Sequence, residues 1–254
     1  MKAMTAVSLG LLSFSMSGAF AYEDGNSANA HYRIEIQNQT ENQWFSPCLC
    51  ALHSNKVRLF QVGQAATNGQ AIFAEDGFNG VLAEELRENP QVYAVLQCGA
   101  GLTPPGATRI EEISGPVRAR LTCASMPVTT NDVLTTVSSV RTPNQIGVVR
   151  SYNSVEWDLG SEEDNYSSSS MPEDSLTLVP EGPDNPVTIA ENVVFGPEGR
   201  PDGVPSLLSP FSRAFFNSEG TMNIFNDYVG SDEFPSFLYG WNGPASSLSI
   251  IRVD

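Results

Sequence analysis

Two acidic runs hold the side chains best suited to chemistry. One is Thr129-Thr130-Asn131-Asp132. The other is Trp157-Asp158-Leu159-Gly160-Ser161-Glu162-Glu163-Asp164-Asn165. If Asp132, Asp158 and Glu162 meet, they repel: two unit charges about 4 Å apart cost about 4 kcal/mol at an effective dielectric of 20. A hard divalent cation reverses that cost. Ca²⁺ takes about six to eight oxygens, side-chain amides and backbone carbonyls included, so Asn131 and Asn165 are further candidate ligands. Mg²⁺ prefers a small rigid shell that keeps several waters. The acid-x-acid-x-acid-Gly order of an EF-hand is absent. Paired carboxylates also serve glycosidases as acid and base, which requires a sugar cleft and one protonated carboxyl. A solvated acidic loop is the plain alternative.

Other reactive types are few. His31 and His53 are the only histidines, and no Gly-x-Ser-x-Gly elbow accompanies them. His53 is the better candidate base for a Ser-His-Asp arrangement, with Ser46 and Ser54 nearby in sequence. Its ordinary role would be a packed, hydrogen-bonding residue beside the Ser46-Pro47 bend. Four cysteines, Cys48, Cys50, Cys98 and Cys123, fit zinc poorly, because Cys48 and Cys50 are separated by one residue where zinc knuckles use two to four. A Cys48–Cys50 bridge would close a strained ring. Cys48 and Cys50 are therefore expected each to reach one of Cys98 and Cys123, with the pairing open.

Composition bounds the partners. The 254 residues carry 29 Asp+Glu against 13 Lys+Arg, a formal charge of -16. That balance argues against nucleic acid and against docking on an anionic membrane. Residues 1–21 read as a secretory signal peptide: Lys2, an apolar run through Phe14, then Ala19-Phe20-Ala21 as the cleavage site. The run is too short and too rich in Ser and Gly to span ~30 Å of hydrocarbon. No membrane span is expected in the mature chain, which would be secreted or periplasmic, where paired cysteines oxidise.

The acidic runs need a scaffold. Residues 22–30 read as a flexible leader, and 31–254 as a single domain. Residues 31–37 alternate, with Tyr32, Ile34 and Ile36 opposed by Arg33 and Glu35, as in a strand with one wet face. Residues 57–60, 92–96, 108–113, 117–125, 133–140, 146–152 and 247–253 are further strand candidates, and 187–195 another. Hairpin turns are expected at Ser114-Gly115-Pro116 and over residues 141–145. Residues 81–88 form the one expected helix, stopped by Pro90. Glu75-Asp76-Gly77 reads as a turn, or as part of the ligand-bearing end. Such spacing indicates an all-β, antiparallel sandwich of two sheets. Counting strand directions puts the Asp132 and Asp158 loops at one end, on neighbouring strands. Residues 156–240 hold 16 of the 29 acids and two of the 13 bases, and read as long loops. The late aromatics, Phe225, Phe237, Tyr239 and Trp241 among them, suggest a small second core or a recognition patch.

Several stretches together resemble the spondin domain family, including its short exported bacterial members. They are Tyr32-Arg33-Ile34-Glu35-Ile36-Gln37-Asn38-Gln39-Thr40, Phe45-Ser46-Pro47, His53, Leu59-Phe60-Gln61-Val62-Gly63, Ala74-Glu75-Asp76-Gly77, Met126-Pro127-Val128-Thr129-Thr130-Asn131-Asp132, Trp157-Asp158-Leu159-Gly160-Ser161-Glu162 and the closing Ser249-Ile250-Ile251-Arg252-Val253. The likeness covers residues 31–165 and the last strand. It implies a β-sandwich related to calcium-dependent lipid-binding domains, with Ca²⁺ held at one end by Asp132, Asp158 and Glu162. Leu159 and Ser161 depart from the family's small residue and Thr. Residues 166–241 are an insertion without counterpart. The expected function is an exported, non-enzymatic, calcium-binding module for adhesion or recognition of an extracellular protein or glycan. A secreted hydrolase acting on polysaccharide or ester through the acidic cluster or His53 is the alternative.

Overall fold

The computed structural model describes residues 29–99, 101–161, 220–226, 228–232 and 235–254. The alternation that begins the domain forms β1 (Asn29–Asn38), two residues earlier than expected, with Tyr32, Ile34 and Ile36 buried. Its neighbours are β4 (Thr108–Pro116) on one side and β10 (Ser246–Arg252) on the other, and β7 (Val149–Asn153) flanks β10. All pairings are antiparallel. Ile34 faces Ile250 and Ile36 faces Leu248, so matching apolar sets fix the register.

The second sheet has the order β3-β2-β5-β6-β8-β9. Its strands are β2 (Leu49–His53), β3 (Val92–Gln97), β5 (Arg120–Ser125), β6 (Val133–Arg141), β8 (Val155–Asp158) and β9 (Asn223–Ile224). The chain is thus an antiparallel β-sandwich. Between the sheets lie Tyr32, Ile34, Leu248 and Ile250 from one and Leu52, Leu121, Cys123 and Val137 from the other.

The outer face of the second sheet is covered as well. Helix α1 (Asn68–Asp76) contributes Phe73 and Ala74, and α2 (Gly80–Glu88) contributes Leu82, Ala83 and Leu86, against Leu49, Ala51, Ala124 and Leu134. Each of the large side chains so buried is worth about 1.5–3 kcal/mol. Thr67 caps α1: its side chain accepts from Gln70 N while the Gln70 side chain accepts from Thr67 N. Glu85 on α2 accepts from Gly69 N at 2.8 Å and from the Thr67 hydroxyl at 2.6 Å, fastening the two helices.

Disulfides join Cys48 to Cys98 and Cys50 to Cys123, so each of the first two cysteines reaches one of the later two. Both anchor β2 to its neighbours, and Cys50 lies directly opposite Cys123.

Several local expectations are corrected. Residues 57–60 form a connection rather than a strand. Glu75 and Asp76 end a helix rather than make a turn. A third, short helix, α3 (Ser236–Tyr239), lies late in the chain. Neither expected hairpin forms: β4 and β5 belong to different sheets, as do β6 and β7. The late segment is not only loop. β9 extends the second sheet, Met222 enters the outer core, and Tyr228 and Tyr239 pack with Phe225, Leu238 and Trp241. Phe237 is 87% exposed. The signal segment, residues 22–28 of the leader, the expected strand at 187–195 and Glu162 lie outside the described residues.

Candidate metal centre

Asp132 immediately precedes β6, and Asp158 ends β8, the strand paired with it. Val133 faces Asp158, and Leu159 N donates to the Asp132 carbonyl at 3.1 Å. The two acidic runs therefore meet at one end of the sandwich. The route differs from the one strand expected to start at residue 146 and lead to Asp158: the chain runs along β7 in the first sheet, crosses at Ser154 and enters the second as β8.

Register also decides where each carboxylate points. Leu134 and Trp157 are cross-strand partners and share the helix-covered face. Thr135 and Glu156 are the next pair, and the Thr135 hydroxyl reaches Ser246 of the other sheet at 2.9 Å. By alternation Asp132 lies on the helix-covered face with Leu134 and Leu159, whereas Asp158 shares the opposite face with Val133. The backbones converge, but the two carboxylates leave the strands on opposite sides. An ion shared by both would sit at the tip, beyond the last rung.

Asp132 is wholly buried, as are Asn131 and Thr130. Its Oδ2 accepts from Ser161 N at 2.6 Å and from the Ser161 hydroxyl at 3.1 Å. Charge-assisted bonds to a carboxylate are the strong ones, so this pair pins the loop after β8 onto the start of β6. Leu159 fills the outer core. Gly160 adopts φ +62°, and a Cβ there would lie 2.5 Å from the Thr221 carbonyl oxygen. Asp158 is half-buried and accepts from Gly160 N at 2.8 Å, holding the same turn. Asn131, Asp132 and Asp158 thus form a structured pole.

The C-terminal turn of α1 lies near Met126, the residue after β5. Gly77, next after Asp76, packs against Ser46 and Met126, and Glu75 and Asp76 are 4% and 2% exposed. Buried carboxylates are retained only with compensating partners.

The donors here are oxygens, the kind a hard cation takes. Among the described residues, the one group of three acidic, imidazole or thiol side chains with ligand atoms close enough for one ion is Cys48, Cys50 and Cys98. Those sulfurs are in disulfides and are not thiolates. Glu162, the third expected ligand, lies outside the described residues.

His53 is 1% exposed. Its Nδ1 lies 2.8 Å from the Ser54 carbonyl and so donates. Its Nε2 lies 2.8 Å from the Thr122 hydroxyl; with the ring proton on Nδ1 this nitrogen accepts from that hydroxyl, whose oxygen in turn accepts from Ser139 N. Burial lowers its pKa, and the nearby Arg58 and Arg120 cations lower it further against the Ser54 bond. The ring is neutral and committed at both nitrogens.

The fold and this pole define a class: a disulfide-linked β-sandwich with a buried, oxygen-rich end. Compared with protein-family models and with curated proteins, the chain matches none.

Proposed function

We propose that this chain is an exported, calcium-binding β-sandwich of spondin type, acting as an adhesion or recognition module. The observation that carries the reading is the buried Asp132 carboxylate, clamped by Ser161, at the end of the sandwich that also holds Asn131 and Asp158. The stretches that carry the family likeness also pack in pairs. Residues 32–38 lie against 246–252 in the first sheet, and 126–132 meet 157–161 at the pole. The ion would draw on Asp132, Asp158, Glu162 and Asn131, neutralise them and stiffen their loops.

A hydrolase using His53 has less support. The ring has no carboxylate partner among the described residues, and its acceptor nitrogen is taken by Thr122.

Extracellular modules bind calcium at about 10⁻⁴–10⁻³ M. With a Kd of ~10⁻⁴ M, about 10 mM calcium stabilises the folded form by about 2.7 kcal/mol. For a chain of this size that raises Tm by about 5–10 °C. A thermal scan in calcium against one in chelator measures it. Asp132→Asn should abolish the difference between the two scans whatever its own melting temperature. Coincident scans for the unaltered chain would refute the site.

A further inference from the structure

At the far end of β6 from Asp132 lies an open cleft of about 670 Å³. It is bounded by the end of β2, the start of β3, the β4–β5 turn and the β6–β7 connection. Arg118, Arg120, Arg141 and Arg150 line it, and no Asp or Glu does. The distribution is far from even. The chain has 13 bases to 29 acids, yet residues 113–155 hold these four arginines and Asp132 as their only acid. None of the four is in an ion pair with a described residue.

The arginines are mounted on firm backbone. Thr142 N and the Thr142 hydroxyl both donate to the Ala119 carbonyl, tying the β4–β5 turn to the β6–β7 connection. The Arg120 guanidinium donates to the Ser139 carbonyl at 3.0 Å, and Arg252 donates to the carbonyl of Asn144, itself a wall residue. Arg118, Arg141 and Arg150 are exposed, and Arg118 takes φ +71°, a conformation side chains other than glycine rarely adopt. Tyr93, 48% exposed, forms another wall. His53 is committed elsewhere and serves as packing.

Guanidinium forks match sulfate, carboxylate and phosphate oxygens in pairs. Four around one cleft call for a ligand with several anionic groups. The volume suits a small molecule or a few sugar rings. An exposed aromatic ring on the cleft wall suits a pyranose. A long polyanion is disfavoured, because beyond the cleft it meets a chain of net charge -16.

We propose that this cleft binds an acidic oligosaccharide, with its sulfate or carboxylate groups on Arg118, Arg141 and Arg150 and a sugar ring against Tyr93. The site stands whether or not calcium binds at the other pole. Calorimetric titration of the purified chain tests it, using a sulfated heparin tetrasaccharide, a trigalacturonate, neutral maltotetraose, inorganic phosphate and a dT4 oligonucleotide. One of the two acidic saccharides should bind, more weakly at higher salt, and maltotetraose should not. Arg141→Ala with Arg150→Ala should weaken that binding at least tenfold, while Arg33→Ala leaves it unchanged. Tyr93→Ala should weaken it several-fold without altering any response to phosphate. Should the double variant melt lower than the unaltered chain, Arg150→Gln alone carries the same test. The proposal fails if neither acidic saccharide binds, if maltotetraose, phosphate or dT4 binds as tightly, or if folded cleft variants keep full affinity.

Discussion

His53 shows how one residue's environment sets a measurable property. The ring is neutral in the folded chain because burial, Arg58 and Arg120 oppose its charge, so its folded pKa lies below the unfolded value near 6.5. The sign follows. Between the two pKa values the unfolded chain binds more protons, so stability rises with pH across that window. The contribution is full above about pH 6.5. It is lost as pH falls through the depressed folded pKa. His53→Gln keeps a donor and an acceptor and removes the titration. Melting temperatures from pH 7.5 to 5 should therefore fall less steeply in the variant than in the unaltered chain. Parallel curves would mean that His53 carries no such linkage. The carboxylates titrate in both proteins, so the comparison isolates the imidazole.

Among elements, the helix pair on the second sheet separates propensity from packing. Gly69 stands in α1, where Ala would gain about 1 kcal/mol of helix propensity. A Cβ there would lie 2.6 Å from the Leu82 backbone, which cannot step aside as a side chain does. Overpacking costs about 1–3 kcal/mol, so Gly69→Ala should destabilise despite the better helix former. Chemical denaturation should show a lower midpoint, and a raised one would mean that α1 and α2 are not pressed together as described. The same pair explains what the sequence reveals and what it hides. Residues 31–37 read as a strand because one face is wet and the pattern alternates. Residues 49–53 do not, because both faces of β2 are covered and no alternation remains. α1 has no apolar stripe, and its one local signal is the capping pair Thr67 and Gln70. β7 and β8 read as one strand because the crossing at Ser154 has neither Gly nor Pro to mark it. The meeting of the two acidic runs follows from strand order. The opposed directions of Asp132 and Asp158 do not, since they depend on a register fixed only by pairing. The arginine cleft has a sequence signal in the local charge of residues 113–155, but one hidden by the acidity of the whole chain.

At the scale of the molecule, β6 sets the distance between two electrically opposite ends. Asp132 adjoins its first residue and Arg141 is its last. Nine steps at ~3.3 Å place them about 30 Å apart. At that range a pair of unit charges interacts by about 0.1 kcal/mol in water. A Debye length of about 8 Å at physiological salt removes nearly all of it. Ligands at the two ends could then influence each other only if the sandwich between them changed shape. Its densely packed core and the two disulfides, one from β2 and one from the residue before it, oppose such a change. The two sites should accordingly behave as independent, as distant substitutions do in general. Asp132→Asn should leave the affinity for the acidic saccharide within about twofold. Arg141→Ala with Arg150→Ala should leave the calcium-dependent rise in Tm within about 1 °C. The saccharide titration and the paired thermal scans on these two variants measure both. A change in either crossed measurement beyond those limits would show that the sandwich transmits binding from one end to the other, and that it is not the rigid spacer its packing implies.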